Sequence, residues 1–85
     1  MEIGEIVFSD HALEEMERRG VSIDIVLECL GNNATQIEKV RKGRVVCQKI
    51  IGKFLYRVFV DIDRQPAVVV TVYRTSKIDK YWREK

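Results

Sequence analysis

Cysteine and histidine are scarce in these 85 residues, the glycines are scattered, and each of these features removes a class of chemistry. Two cysteines occur, Cys29 and Cys47, far apart and in no CxxC pair, and His11 is the sole histidine. That set is too small for a zinc site, so no metal and no cofactor is expected. Cys29 falls in an apolar helical stretch and Cys47 among strand residues, which reads both as small core residues rather than nucleophiles. A glycine-rich phosphate loop and a GxSxG elbow are both missing, which sets aside nucleotide and serine hydrolysis. The longest apolar runs fall far short of the roughly 18 residues of a membrane span. The acidic start, with Glu2 and Glu5, is unlike a signal peptide, so the expectation is a cytoplasmic chain with no membrane contact.

What is present is enough for one small domain, residues 1–85. The chain is 46% hydrophobic and has no low-complexity segment, which argues against a disordered tail. A chain this short hides only about 60 to 70% of its unfolded surface, so one modest core is expected. The net charge of +2 conceals a division. Residues 1–38 carry nine acids against Arg18 and Arg19, a balance of −7, whereas residues 39–85 carry thirteen Lys and Arg against four acids, a balance of +9. Such asymmetry suits a basic half that meets a polyanion or an acidic partner, unless the two halves balance one another inside the domain.

The apolar period changes once along the chain. Residues 3–8 are a short apolar lead-in, and Ser9 or Asp10 offers the N-cap of a helix of about ten residues that ends at Gly20. Ala12, Leu13 and Met16 are expected on its buried face, with Glu14, Glu15, Glu17 and Arg18 towards water. Ser22 caps a second helix, stapled by Val21 and Val26, with a buried stripe of Ile23, Val26, Leu27 and Leu30 and a stop at Gly31-Asn32-Asn33. From residue 35 onwards the period is that of strands: 35–40, 44–51, 54–61 and 67–74, joined by turns at Arg41-Lys42-Gly43, Gly52-Lys53 and Asp63 to Pro66. Ser76-Lys77-Ile78-Asp79 reads as a capping box opening a short C-terminal helix. The expected fold is α+β: two N-terminal helices packed on one face of a four-stranded antiparallel sheet, with a short C-terminal helix.

A two-residue turn at Gly52-Lys53 pairs Gln48 with Arg57 and Cys47 with Val58. Aligning Tyr56, Val58 and Val60 with Val68, Val70 and Val72 would set Arg57 opposite Thr71. Gln48, Arg57, Thr71 and Tyr73 then point away from the helices, and Lys49 falls on the core side, where it would have to snorkel. An arginine in a central strand is costly unless it faces an open surface or has a partner.

Candidate chemistry follows from these placements. His11, in the first turn of a helix, could exchange a proton during phosphodiester cleavage, or could lock the helix start by bonding a neighbouring strand. Arg19 could grip a phosphate or a carboxylate of the fold. Arg57, with Tyr73 and Thr71 beside it and Gln48 opposite, could bind a phosphate or form a proton relay, or could belong to a solvated sheet face. The ending Arg74-Thr75-Ser76-Lys77-Ile78-Asp79-Lys80-Tyr81-Trp82-Arg83 mixes cations with aromatics, which suits single-stranded RNA and equally an amphipathic terminal helix packed on the body. Helical spacing favours packing for Ile78, Tyr81 and Trp82, leaving Arg74, Lys77 and Lys80 for anions.

The opening IVFSDHALEEMERRGVSIDIVLECL and the ending VVVTVYRTSKIDKYW resemble the domain of unknown function 4258 family, over nearly the whole chain. Where many members carry a basic residue this chain has Glu15. That family is similar to the RelE/ParE and barnase-like group of small RNase toxins of toxin–antitoxin systems, which place two helices before an antiparallel sheet. The resemblance implies a RelE-like toxin domain, an RNA substrate and a small antitoxin protein as partner, with His11, Arg19, Arg57, Thr71 and Tyr73 as motif positions. The expected activity is a metal-independent endoribonuclease: His11 as acid or base, Arg57 and Arg19 stabilising developing charge, Tyr73 assisting, and Gln48, Arg74, Lys77 and Lys80 binding substrate. The alternatives are a non-catalytic RNA- or protein-binding module and an obligate homo-oligomer that buries the sheet face against its twin.

Overall fold

The computed structural model describes residues 5–31 and 35–82. Strand β1 (Ile6–Phe8) leads into helix α1 (Asp10–Arg19) and helix α2 (Ile23–Leu30). Strands β2 (Gln36–Arg41), β3 (Arg44–Ile51), β4 (Phe54–Asp61) and β5 (Ala67–Thr75) follow, then the single-turn helix α3 (Ile78–Tyr81). The α+β class fits, but the four-stranded antiparallel sheet is corrected. The sheet has five strands in the order β1-β5-β4-β3-β2, and it is mixed, because β1 runs parallel to β5. The apolar lead-in is therefore a strand, joined to the far end of the chain through Ile6 beside Ala67 and Phe8 beside Val69. Three residues give too short a run for a periodicity argument, and the pairing partner lies some sixty positions away.

The helices start and stop for local reasons. Ser9 accepts the Ala12 amide at α1, and Ser22 accepts the Ile25 amide at α2. Gly20 ends α1 at φ 69°, a left-handed conformation in which glycine has no steric cost. Val21 and Val26 are both buried around the Ser22 cap, as the staple requires. Asn32 and Asn33, part of the expected stop of α2, lie outside the described residues. At the C-terminal end the capping box is corrected: α3 starts after Lys77, with no side-chain cap, and the Lys77 amide bonds the Thr75 hydroxyl instead.

The core forms between α1, α2 and one sheet face. Ala12 and Met16 of α1 and Val26 and Cys29 of α2 meet Val45, Cys47, Tyr56, Val58, Val60, Val69 and Val72. Each fully buried valine among them contributes about 1.5–3 kcal/mol relative to exposure. Two expectations about the helices fail here. Leu13, Ile23 and Leu27 are exposed, so of the expected α2 stripe only Val26, fully buried, and Leu30, packed against the core, face inward, and Cys29 joins them. Glu15, expected in water, is only 7% exposed. Lys49 does fall on the core side, and it is satisfied by Glu28 of α2 at 3.2 Å.

Register decides what the other sheet face presents. Gln48 pairs with Arg57 and Cys47 with Val58, as expected from the Gly52-Lys53 turn. The β4–β5 pairing is corrected by two residues: Arg57 lies opposite Tyr73, and Thr71 lies opposite Phe59. A bulge between Phe59 and Val60 resets the pairing towards the turn, where Val60 meets Val69. The shift is even, so Thr71 and Tyr73 keep the face that alternation gave them.

Candidate functional site: the polar sheet face

Arg57 lies on β4 with its side chain on the face away from α1 and α2, and its partners explain how it is tolerated there. Its Nε donates to Gln48 Oε1 at 2.9 Å, and its Nη1 donates to the Tyr73 hydroxyl. The guanidinium also stacks over the ring of Tyr81, 4.2 Å from the centroid, with the Phe59 and Tyr73 rings at 5.4 and 5.6 Å. Gln48 is fully buried, and its amide nitrogen donates to Gln36 Oε1 and to the Tyr81 carbonyl, both at 3.0 Å. One amide thus joins β2, β3, β4 and α3. Among the described residues no buried side-chain nitrogen or oxygen lacks a partner.

Helix α1 approaches the same cluster from the β5 side. The Arg19 guanidinium stands 5.9 Å from the Tyr73 centroid, so two arginines lie near one ring. Glu15 aims Arg19: its Oε1 accepts from Arg19 Nε and Nη2 at 3.2 and 3.1 Å, while Oε2 pairs with Arg18 at 2.8 Å. The Arg19 bond, with smaller help from Arg18 and His11, holds the Glu15 carboxyl below its ordinary value against partial burial. His11 lies one turn before Glu15 and is exposed. At the helix start the Ser9 hydroxyl bonds the Val70 carbonyl, which ties α1 to β5.

The expected site residues divide accordingly. Arg57, Tyr73 and Gln48 come together, and Arg19 joins them through Tyr73. Thr71 shares their face, two residues along β5 from Tyr73. Arg74 does not belong: its guanidinium lies 4.6 Å from the Phe54 centroid, on the core-facing side. Lys77 and Lys80 are exposed, and Lys80 stands 5.4 Å from the Tyr81 centroid, at the edge of the cluster. No hydrogen bond, ion pair or ring contact joins His11 to Arg57 or Tyr73, and it acts on the cluster only through its charge on Glu15, one turn along α1. Arg83 lies outside the described residues.

Three members of the cluster escaped sequence reasoning. Glu15 was readable, because carboxylate and guanidinium stand four apart on one helix. Gln36 pairs with Gln48 across β2 and β3, but a register shift between Lys39 and Arg41 hides that alignment from simple counting. Tyr81 was expected to pack, and its role on Arg57 depends on α3 folding back over the sheet.

Elsewhere the chemistry is quiet. Burial pushes the Cys29 thiol up to about 12 and the Cys47 thiol up to about 11, so neither is a nucleophile at neutral pH. Among the described residues, no three His, Cys, Asp or Glu side chains come together to hold a metal ion. No helix among them is long and apolar enough to cross a membrane.

No curated protein and no solved structure matches the chain. A family model does match, over residues 8–74, a span that takes in α1, α2, all of β2 to β4 and the Arg19, Arg57 and Tyr73 positions. The chain therefore belongs to the family described as Domain of unknown function (DUF4258).

Proposed function

We propose that the polar sheet face binds single-stranded RNA and cleaves it without a metal, as an endoribonuclease toxin partnered by a small antitoxin protein. The carrying observation is the pair of guanidiniums, Arg19 and Arg57, at 5.9 and 5.6 Å from the centroid of the Tyr73 ring. Two forked cations around a phenol suit a phosphate that gains charge in a transition state. In this reading the 2′-hydroxyl of the RNA attacks the adjacent phosphorus and the 5′-oxygen leaves, giving a 2′,3′-cyclic phosphate. His11 takes the 2′-hydroxyl proton or protonates the leaving 5′-oxygen, with water as the other proton partner. Arg19 and Arg57 hold the phosphorane oxygens, and Tyr73 orients the phosphate through its hydroxyl. Glu15 positions Arg19. Thr71 and Lys80 extend the surface for neighbouring nucleotides. Two buried, unpaired thiols, Cys29 and Cys47, accord with a reducing compartment such as the cytoplasm.

The test is cleavage of a single-stranded RNA in excess chelator. Wild type should yield cyclic-phosphate ends, and His11→Ala and Arg57→Ala should each lower the rate by at least about 100-fold. Full cutting by His11→Ala would remove His11 from the mechanism. Growth arrest on expression, relieved by the product of an adjacent gene, tests the toxin part separately.

A second reading is supported by the engagement of Arg57 with Gln48, Tyr73 and Tyr81 at once. On that reading the face is a rigid, non-catalytic platform, and RNA binds with strong salt dependence but yields no product at any protein concentration.

A further inference from the structure

The sheet's other end carries a second surface that does not depend on the RNA reading. Strand β2 is the sheet edge opposite β1, and Lys39, Val40 and Arg41 are all exposed on it. Beside them a cleft of about 310 Å³ has an apolar floor of Ile37, Val45 and Ile62 and a cationic rim of Lys39, Arg41 and Arg44. Arg44 is already neutralised, by two bonds to Asp61 at 2.6 and 3.1 Å. Lys39 and Arg41 form no salt bridge among the described residues. Lys42 and Arg64, both exposed, stand in the adjoining turns, and Asp63 is the opposing carboxylate, seated against Gly43.

We propose that this cleft docks an acidic segment of a partner protein through one apolar anchor residue flanked by carboxylates. Two features select that occupant. The floor would gain nothing from a phosphate backbone but would bury an aromatic or branched side chain, and its volume suits a single anchor. The rim holds a cationic surplus beyond the satisfied Arg44–Asp61 pair, which complements acids on both sides of the anchor. Addition of a further strand to β2 is disfavoured, because lysine and a register shift at Lys39 to Arg41 are devices that blunt an edge. Docking is therefore through side chains.

The experiment uses the full chain and an end-blocked nonapeptide with a central phenylalanine, glutamates on both sides and serines elsewhere. Methyl resonances of Ile37, Val45 and Ile62 should shift on titration. The Lys39→Glu/Arg41→Glu double variant, and separately a peptide with serine for phenylalanine, should each weaken binding by about tenfold or more. Arg57→Ala should leave peptide affinity unchanged, which separates this surface from the RNA face. Absence of methyl shifts up to about 1 mM peptide overturns the proposal. So does equal binding of the anchorless peptide, or tighter binding of a uridine nonamer at the same methyls. Concentration-dependent self-association that the double variant abolishes would make a second copy the occupant and would also overturn it.

Discussion

Glu15 shows how much a single residue can matter in a domain this small. It stands on a helix face that periodicity sends to water, yet it is 7% exposed and binds both Arg18 and Arg19. Asp61 is its counterpart on β4, held low chiefly by its bond to Arg44. Both carboxyls have folded-state values below their ordinary 4.5 and 3.8. Their stabilising contribution is therefore fully present above those ordinary values and is lost as pH falls through the lowered ones. Glu15→Gln and Asp61→Asn should each lower Tm at pH 7, the latter by an amount equivalent to about 1 kcal/mol. On acid titration by circular dichroism their Tm curves should run flatter than wild type and converge with it at low pH. Parallel curves would mean that the pairs contribute nothing to folding. The two thiols allow a second check. Cys29 and Cys47 are buried with raised values, so a thiol reagent at pH 8 should label neither in the folded protein and both in urea.

At the scale of elements, α3 is the least predictable piece and the one that completes the polar face. It is one turn long and has no side-chain cap, so its position derives from tertiary contacts: the Gln48–Tyr81 bond and the stack of Tyr81 on Arg57. Gln48→Leu keeps the volume but leaves the Arg57 Nε without its acceptor, at a cost of about 1–3 kcal/mol. Urea unfolding should show that loss, and amide exchange should show earlier opening of α3 than of β3. Unchanged exchange at α3 would mean that other contacts hold it. The strands illustrate what the sequence can and cannot specify. Boundaries of β3 and β4 follow from alternation and from the Gly52-Lys53 turn, because a two-residue hairpin leaves one register. The β4–β5 register does not follow, because the bulge at Phe59 to Val60 and the longer connection through Pro66 free the pairing from the turn. The face assignments survived only because the slip was even. For α2, Ile23 and Leu27 share a helical period with Val26 and Leu30, and contact with β3 and β4 turns Val26 and Cys29 inward and leaves Ile23 and Leu27 exposed. The parallel strand β1 lay beyond any local signal, since its pairing is made with residues at the opposite end of the chain.

Over the whole molecule, the division between −7 and +9 becomes spatial. Six of the nine acids of residues 1–38 lie on α1 and α2, which cover one sheet face, while many of the cations belong to β2 to β5 and α3. The domain does not use this division chiefly for internal balance: Lys49–Glu28 bridges the helical and sheet parts, but Glu15 pairs within α1 and Arg44 with Asp61 within the sheet. Among the described residues Arg57 and Lys80 on the polar face and Lys39 and Arg41 at the β2 edge form no salt bridge, whereas Arg19 is held by Glu15, and the salt dependence of RNA binding measures how many of these cations meet phosphates. For a single strand the logarithmic slope is about −0.7 per phosphate neutralised. A uridine oligomer titrated by fluorescence anisotropy between 50 and 200 mM salt should bind wild type with a slope equivalent to two or more phosphates. Arg57→Ala and Arg19→Ala should each flatten that slope by about 0.7, and the Lys39→Glu/Arg41→Glu variant should leave it unchanged. A slope insensitive to Arg57 would assign that guanidinium to the internal network with Gln48 and Tyr81 alone. A slope that follows the β2-edge cations instead would move the RNA surface to the opposite end of the sheet.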